Sequence, residues 1–155
     1  MRITNDVLYA IRRHGEETYP EECCGLLIGR MGETDNVIAG ARAVQNRSEN
    51  RRIDRYIIDP ADFRSVDREA RRDGFDIVGI YHSHPDHPAR PSPTDLEQAT
   101  FPGYTYVIVS IDGGRAADLT AWTLADDRSR FLPEEIHILA DSNAAHHPTS
   151  VTRNS

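Results

Sequence analysis

His82 and His84 stand at the end of an apolar run in GIYHSHPDHPARPSPTD, residues 79–95. On a strand, residues i and i+2 face the same side. The two imidazoles therefore project together, and Ser83 points away. Two imidazoles on one face can share one divalent metal. Catalytic zinc sites hold three protein ligands and keep one position open for water. Asp95 is the best third candidate, because prolines at 85, 88, 91 and 93 can turn the chain back toward the histidines. The same stretch also reads as a helix start, with Ser92 as N-cap, Pro93 at the first position and Asp95 at the third. The two readings are compatible, since a helix N-terminus keeps a carboxylate ionised.

The pattern His-x-His, ten residues, Asp, with Ser92 three positions before Asp95, resembles the metal-binding signature of the JAMM, or MPN-plus, metallopeptidases. Upstream, PEECCGLLIG at 20–29 is similar to that family's block Pro-x-Glu-x-Cys-Gly-x-Leu-x-Gly. The residues alone do not choose between Glu21 and Glu22; the family spacing selects Glu22. The resemblance spans roughly residues 4–125 and is of the small bacterial type. It implies that His82, His84 and Asp95 hold one Zn2+ per chain. It makes Glu22 the general acid/base and Ser92 the group that steadies the oxyanion. Zinc lowers the pKa of its water toward ~7. Glu22 would take that proton and later pass it to the leaving amine.

The implied substrate is an amide or isopeptide bond after the C-terminal Gly-Gly of a ubiquitin-like or sulfur-carrier protein, with cysteine or a short peptide released. Such an extended tail can pair with an exposed strand edge. Two other readings are carried forward: a non-catalytic MPN-type binding module with a structural zinc, and a metallopeptidase for other peptides.

Composition excludes several classes. The formal charge is −7, and all 18 basic residues are arginine. An acidic chain lacks the field that a general nucleic-acid binder needs. Without lysine there is no phosphate loop ending in Gly-Lys and no Schiff-base chemistry. The zinc-deaminase and His-Glu-x-x-His signatures are absent. No apolar run reaches membrane-spanning length, so no membrane partner is expected. Cys23 and Cys24 are the only cysteines, and adjacent cysteines rarely meet disulfide geometry. With no signal-peptide pattern at the N-terminus, a cytoplasmic, reducing location is expected.

The expected architecture is α/β (α+β): a single JAMM/MPN-like, cytidine deaminase-like domain at 1–140, with a mixed, mainly antiparallel sheet flanked by helices. Residues 141–155, with His146 and His147, read as a flexible tail. Periodicity and caps predict helices at 4–14, ended by Gly15, at 60–74 and at 94–100. Strands are predicted at 23–31, 36–46 (bulged at Gly40), 51–59, 75–85, 104–111, 116–124 and 131–139. Cys24 and Trp122 read as core, His87 as a solvated loop histidine, and Arg51, Arg52, Arg55, Arg68, Arg71 and Arg72 as solvated faces.

Overall fold

Helix α1, Asn5–Thr18, buries Val7, Leu8, Ile11 and Gly15 along one stripe. In the computed structural model, which describes residues 1–140, this stripe packs on one face of a mixed sheet. Among the described residues the strands are β1 Arg2–Thr4, β2 Cys24–Met31, β3 Asn36–Val44, β4 Asp76–Pro85, β5 Thr105–Asp112, β6 Arg115–Leu124, β7 Phe131–Glu134 and β8 His137–Leu139. Their order is β7-β6-β5-β4-β2-β3-β1-β8. The β4–β5, β1–β3 and β1–β8 pairs are parallel and the other four antiparallel. Helices α2, Pro60–Arg72, and α3, Pro93–Gln98, complete the domain.

Two cores form on the two sides of this sheet. The α1 side gathers Ile3, Leu8, Ile11, Leu27, Val78, Tyr81, Val107 and Ile111. The other side gathers Leu26, Val66, Ile77, Ile80, Tyr106 and Leu124. A bulge divides β4 between them. Leu27 pairs with Gly79 but Ile28 pairs with Ile77, so Val78 is the extra residue. It drops into the α1 core, and Ile77 and Ile80 both reach the other one. From Ile80 onward the alternation is regular, and His82 and His84 continue the Ile80 face.

The sheet curls round α1. β7 and β8 lie at opposite edges, yet only Glu135 and Ile136 separate them in sequence. The edges therefore approach each other, and the His137 N–H donates to the Met1 carbonyl at 2.9 Å.

Four element expectations are corrected. The first helix runs through Gly15 to Thr18. Gly15 is there for packing, since a Cβ on it would lie 2.6 Å from Ile111 Cδ1. The bulge in β3 falls on Ala39, beside Gly40, because Ile28 pairs with Gly40 and Gly29 with Ile38. Residues 51–59 alternate like a strand but join no ladder; they form an irregular segment ahead of α2. The run 131–139 is two strands, since Glu135 and Ile136 carry the chain from one sheet edge to the other. The expected tail, 141–155 with His146 and His147, lies outside the described residues. Among the described residues no helix is long and apolar enough to cross a membrane.

Candidate metal centre

His82 and His84 leave the same face of β4 and turn their Nε2 atoms to one point, 3.0 Å apart. Asp95 completes the cluster. Its Oδ1 lies 3.2 Å from His82 Nε2 and its Oδ2 3.1 Å from His84 Nε2. Ser83, on the opposite face, accepts a hydrogen bond from the Cys23 N–H at 2.8 Å.

The helix start holds as read, and it aims the carboxylate. The Ser92 Oγ accepts from the Asp95 N–H at 3.0 Å, and Asp95 Oδ2 accepts from the Ser92 N–H at 2.8 Å. This reciprocal capping box, with Pro93 in the first turn, fixes α3 so that Asp95 faces the histidines. The Ser92 hydroxyl acts as acceptor in the cap, so its own proton stays available for donation.

Hydrogen-bond logic defines the charge the cluster needs. The Pro88 carbonyl lies 2.8 Å from His84 Nδ1. A carbonyl only accepts, so Nδ1 carries a proton, and in its neutral, metal-binding form the ring turns a lone pair at Nε2 toward Asp95. In that form lone pairs of His84 and of a carboxylate face each other at hydrogen-bond distance, beside a second imidazole. A cation relieves that conflict. Two nitrogens each about 2 Å from a tetrahedral zinc stand roughly 3.3 Å apart, close to the separation found. The donor set fits one zinc ion.

Burial and charge pull the protonation of this cluster in opposite directions. Burial raises the Asp95 carboxyl, but the hydrogen bonds with His82 and His84 outweigh it and hold the group below the usual carboxylate range. Burial lowers His82. Burial also lowers His84, but contact with Asp95 and the Pro88 carbonyl raises it on balance.

Glu22 precedes β2 and is only 3% exposed. Its carboxylate and the two imidazoles offer ligand atoms all within 4.8 Å of one another. Among the described residues its Oε2 has no hydrogen-bond partner, nor does His82 Nδ1. Burial pushes its pKa up to about 8, with Asp95 and Asp54 adding to the rise and His84 opposing it. Glu21, left open by the residues alone, lies outside this cluster.

The cluster opens onto a cavity of about 360 Å³ whose wall includes Glu22, Ile53, Asp54, His84, His87 and Ser92. His87 is exposed at its wall. A larger, apolar hollow of about 500 Å³ lies beside Ile80, with Tyr56, Phe63, Phe101 and Tyr106 in its wall. It contains none of the clustered residues, so size alone would have pointed away from the chemistry. Tyr56 links the two regions: its ring stacks on His82, with centroids 4.5 Å apart and planes at 27°. Tyr56 went unrecognised in the sequence because its segment alternates like a strand. Cys24 is buried, as read, whereas Trp122 is half-buried and packs against the edge of the core instead of within it.

Fold and donor set together define a class, a small metal-centred hydrolase domain. The family model described as prokaryotic homologs of the JAB domain matches residues 4–125. The chain is 39% identical to a desampylase of Haloferax volcanii over 105 residues, which cover 67% of this chain and 71% of that protein. It is 31% identical over 125 residues to the CysO-cysteine peptidase of Mycobacterium tuberculosis, covering 80% and 82% respectively. A protein of Salinibacter ruber solved in solution superposes with a TM-score of 0.73 at 50% identity, covering 92% of this chain and 94% of that one. The chain belongs to the prokaryotic JAB family.

Proposed function

We propose that the chain is a zinc metallopeptidase that hydrolyses the amide or isopeptide bond after the C-terminal Gly-Gly of a ubiquitin-like sulfur carrier, releasing cysteine or a short peptide. One observation carries the chemistry: two imidazole nitrogens and a carboxylate converge on one point beside a buried, protonatable Glu22. The named relatives, a desampylase and a CysO-cysteine peptidase, support the substrate class.

His82, His84 and Asp95 would hold the ion. Zinc bound there supplies Lewis acidity, polarising a carbonyl and making water acidic enough to lose a proton near neutral pH. Glu22 takes the proton of the attacking water and delivers it to the leaving amine, and burial makes its carboxylate more basic than an exposed one. The Ser92 hydroxyl donates to the oxygen on which charge develops.

The test combines metal content with turnover. Wild type and Glu22→Gln are each expected to hold one zinc per chain. Wild type should cut a carrier ending in Gly-Gly plus one residue, and the variant should lose about 10²–10⁴-fold in rate. A purely structural zinc would leave wild type, like Glu22→Gln, zinc-loaded and without turnover. Failure to cut any member of a panel of such carriers would sink the substrate assignment.

A further inference from the structure

Glu22 lies ahead of β2, so the sheet ladder does not hold it. Its main chain is held by the irregular segment 46–57 instead. The Glu22 N–H donates to the Arg52 carbonyl at 2.6 Å, and the Glu22 carbonyl accepts from Asn46 Nδ2 at 3.1 Å.

Asn46 does more than this. It is 9% exposed, just beyond the end of β3. The same Nδ2 donates to the Arg55 carbonyl at 2.8 Å. Its Oδ1 accepts from the Ser48 N–H at 3.0 Å and from the Ile57 N–H at 3.1 Å. A side-chain amide has two donor hydrogens and two acceptor lone pairs, and here all four are used. The network also fixes the orientation of the amide, because a flip would set its oxygen against two carbonyls. The Arg55 carbonyl and the Ile57 N–H belong to the two peptide groups that flank Tyr56. One buried amide therefore grips Tyr56 from both sides and Glu22 from behind. Tyr56 in turn stacks on His82.

We infer that Asn46 is a positioning residue for the reaction: its amide locks the acid Glu22 and the Tyr56 ring over His82 into one rigid unit. The inference rests on the role proposed for Glu22. No other described side chain bonds both the Glu22 main chain and the peptides of Tyr56. Asn46→Asp is the gentlest break. It is isosteric and keeps both acceptor bonds, so the turn at Ser48 survives. It loses both donor bonds and sets oxygen against the Glu22 and Arg55 carbonyls. Asn46→Ala removes all four.

The experiment compares wild type, Glu22→Gln, Asn46→Asp and Asn46→Ala by zinc content, thermal melting, steady-state kinetics on a carrier ending in Gly-Gly plus one residue, and NMR of Glu22 and Tyr56. An active wild type with an inactive Glu22→Gln upholds the functional reading. Both Asn46 variants are then expected to keep one zinc, to lose about 100-fold in kcat, the scale of a 1 Å misplacement, and to keep KM within about threefold. A folded, zinc-loaded Asn46→Asp with wild-type kcat overturns the inference while leaving the functional reading intact. So does a rise in KM alone. If wild type cuts no carrier, the substrate assignment fails and NMR decides the inference. Displaced Glu22 and Tyr56 signals with unmoved Tyr81 signals uphold it; unmoved Glu22 and Tyr56 signals overturn it.

Discussion

Ser92 does two jobs with one hydroxyl, and they can be separated. As an acceptor it caps α3 and thereby aims Asp95. As a donor it is proposed to meet the oxyanion. Ser92→Ala removes both. The expected loss is about 1 kcal/mol of stability and roughly 10²–10³-fold in kcat. Ser92→Asp restores a cap acceptor but brings no proton at neutral pH. Its denaturation midpoint should return toward wild type while its rate stays low. Recovery of the rate along with the midpoint would mean that Ser92 acts through the cap alone.

At the scale of elements, β4 is the beam that carries the site, and its seat against β5 is narrow. A Cβ on Gly79 would lie 2.2 Å from the Thr105 carbonyl oxygen and 2.9 Å from Leu27 Cδ1. The oxygen is backbone and belongs to the residue paired with Gly79 in the parallel ladder. Gly79→Ala must therefore spread β4 from β5, three residues before His82. We expect a loss of about 1–3 kcal/mol, read from urea midpoints, and weaker zinc retention against a competing chelator. An unchanged midpoint would show that β5 yields freely.

The same element marks what the sequence made legible. His82 and His84 could be placed on one face because period-2 alternation is local, and Ser92 and Asp95 because a capping box is written within four residues. The acid needed the family spacing, since Glu21 and Glu22 differ only in where the fold turns them. Tyr56 and Asn46 were hidden for a physical reason. Residues 51–59 alternate as a strand does, but they pair with no strand of the sheet. Their backbone hydrogen bonds go to Asn46, Glu22, Arg47 and one another, and such nonlocal pairing leaves no periodic trace. The division of 131–139 between opposite sheet edges was hidden likewise, because it depends on how far the whole sheet curls.

At the scale of the molecule, the two apolar cores and the closure of the sheet do not involve the metal cluster. The metal-free protein should therefore stay folded, and its pH dependence should expose Glu22. Folding lifts this carboxyl from 4.5 to about 8. A group raised in the folded state leaves stability intact below its unfolded pKa. It lowers stability as pH climbs to the folded value, by at most roughly 1.4 kcal/mol per pH unit. Asp95 acts in the other direction: its folded value lies below 3.8, so its contribution is present above that pH and is lost on further acidification. His82 and His84, shifted in opposite directions from 6.5, oppose each other. The metal-free protein should thus be most stable in mild acid, with urea midpoints falling from about pH 5 to pH 8. Glu22→Gln keeps both histidines and Asp95 but cannot ionise, so the difference between the two titrations isolates Glu22. The variant's midpoint should overtake that of wild type as pH rises, and the gap should stop growing above pH 8. Parallel curves for the two proteins would mean that Glu22 is already ionised at pH 5 and that burial does not raise it in the folded, metal-free protein.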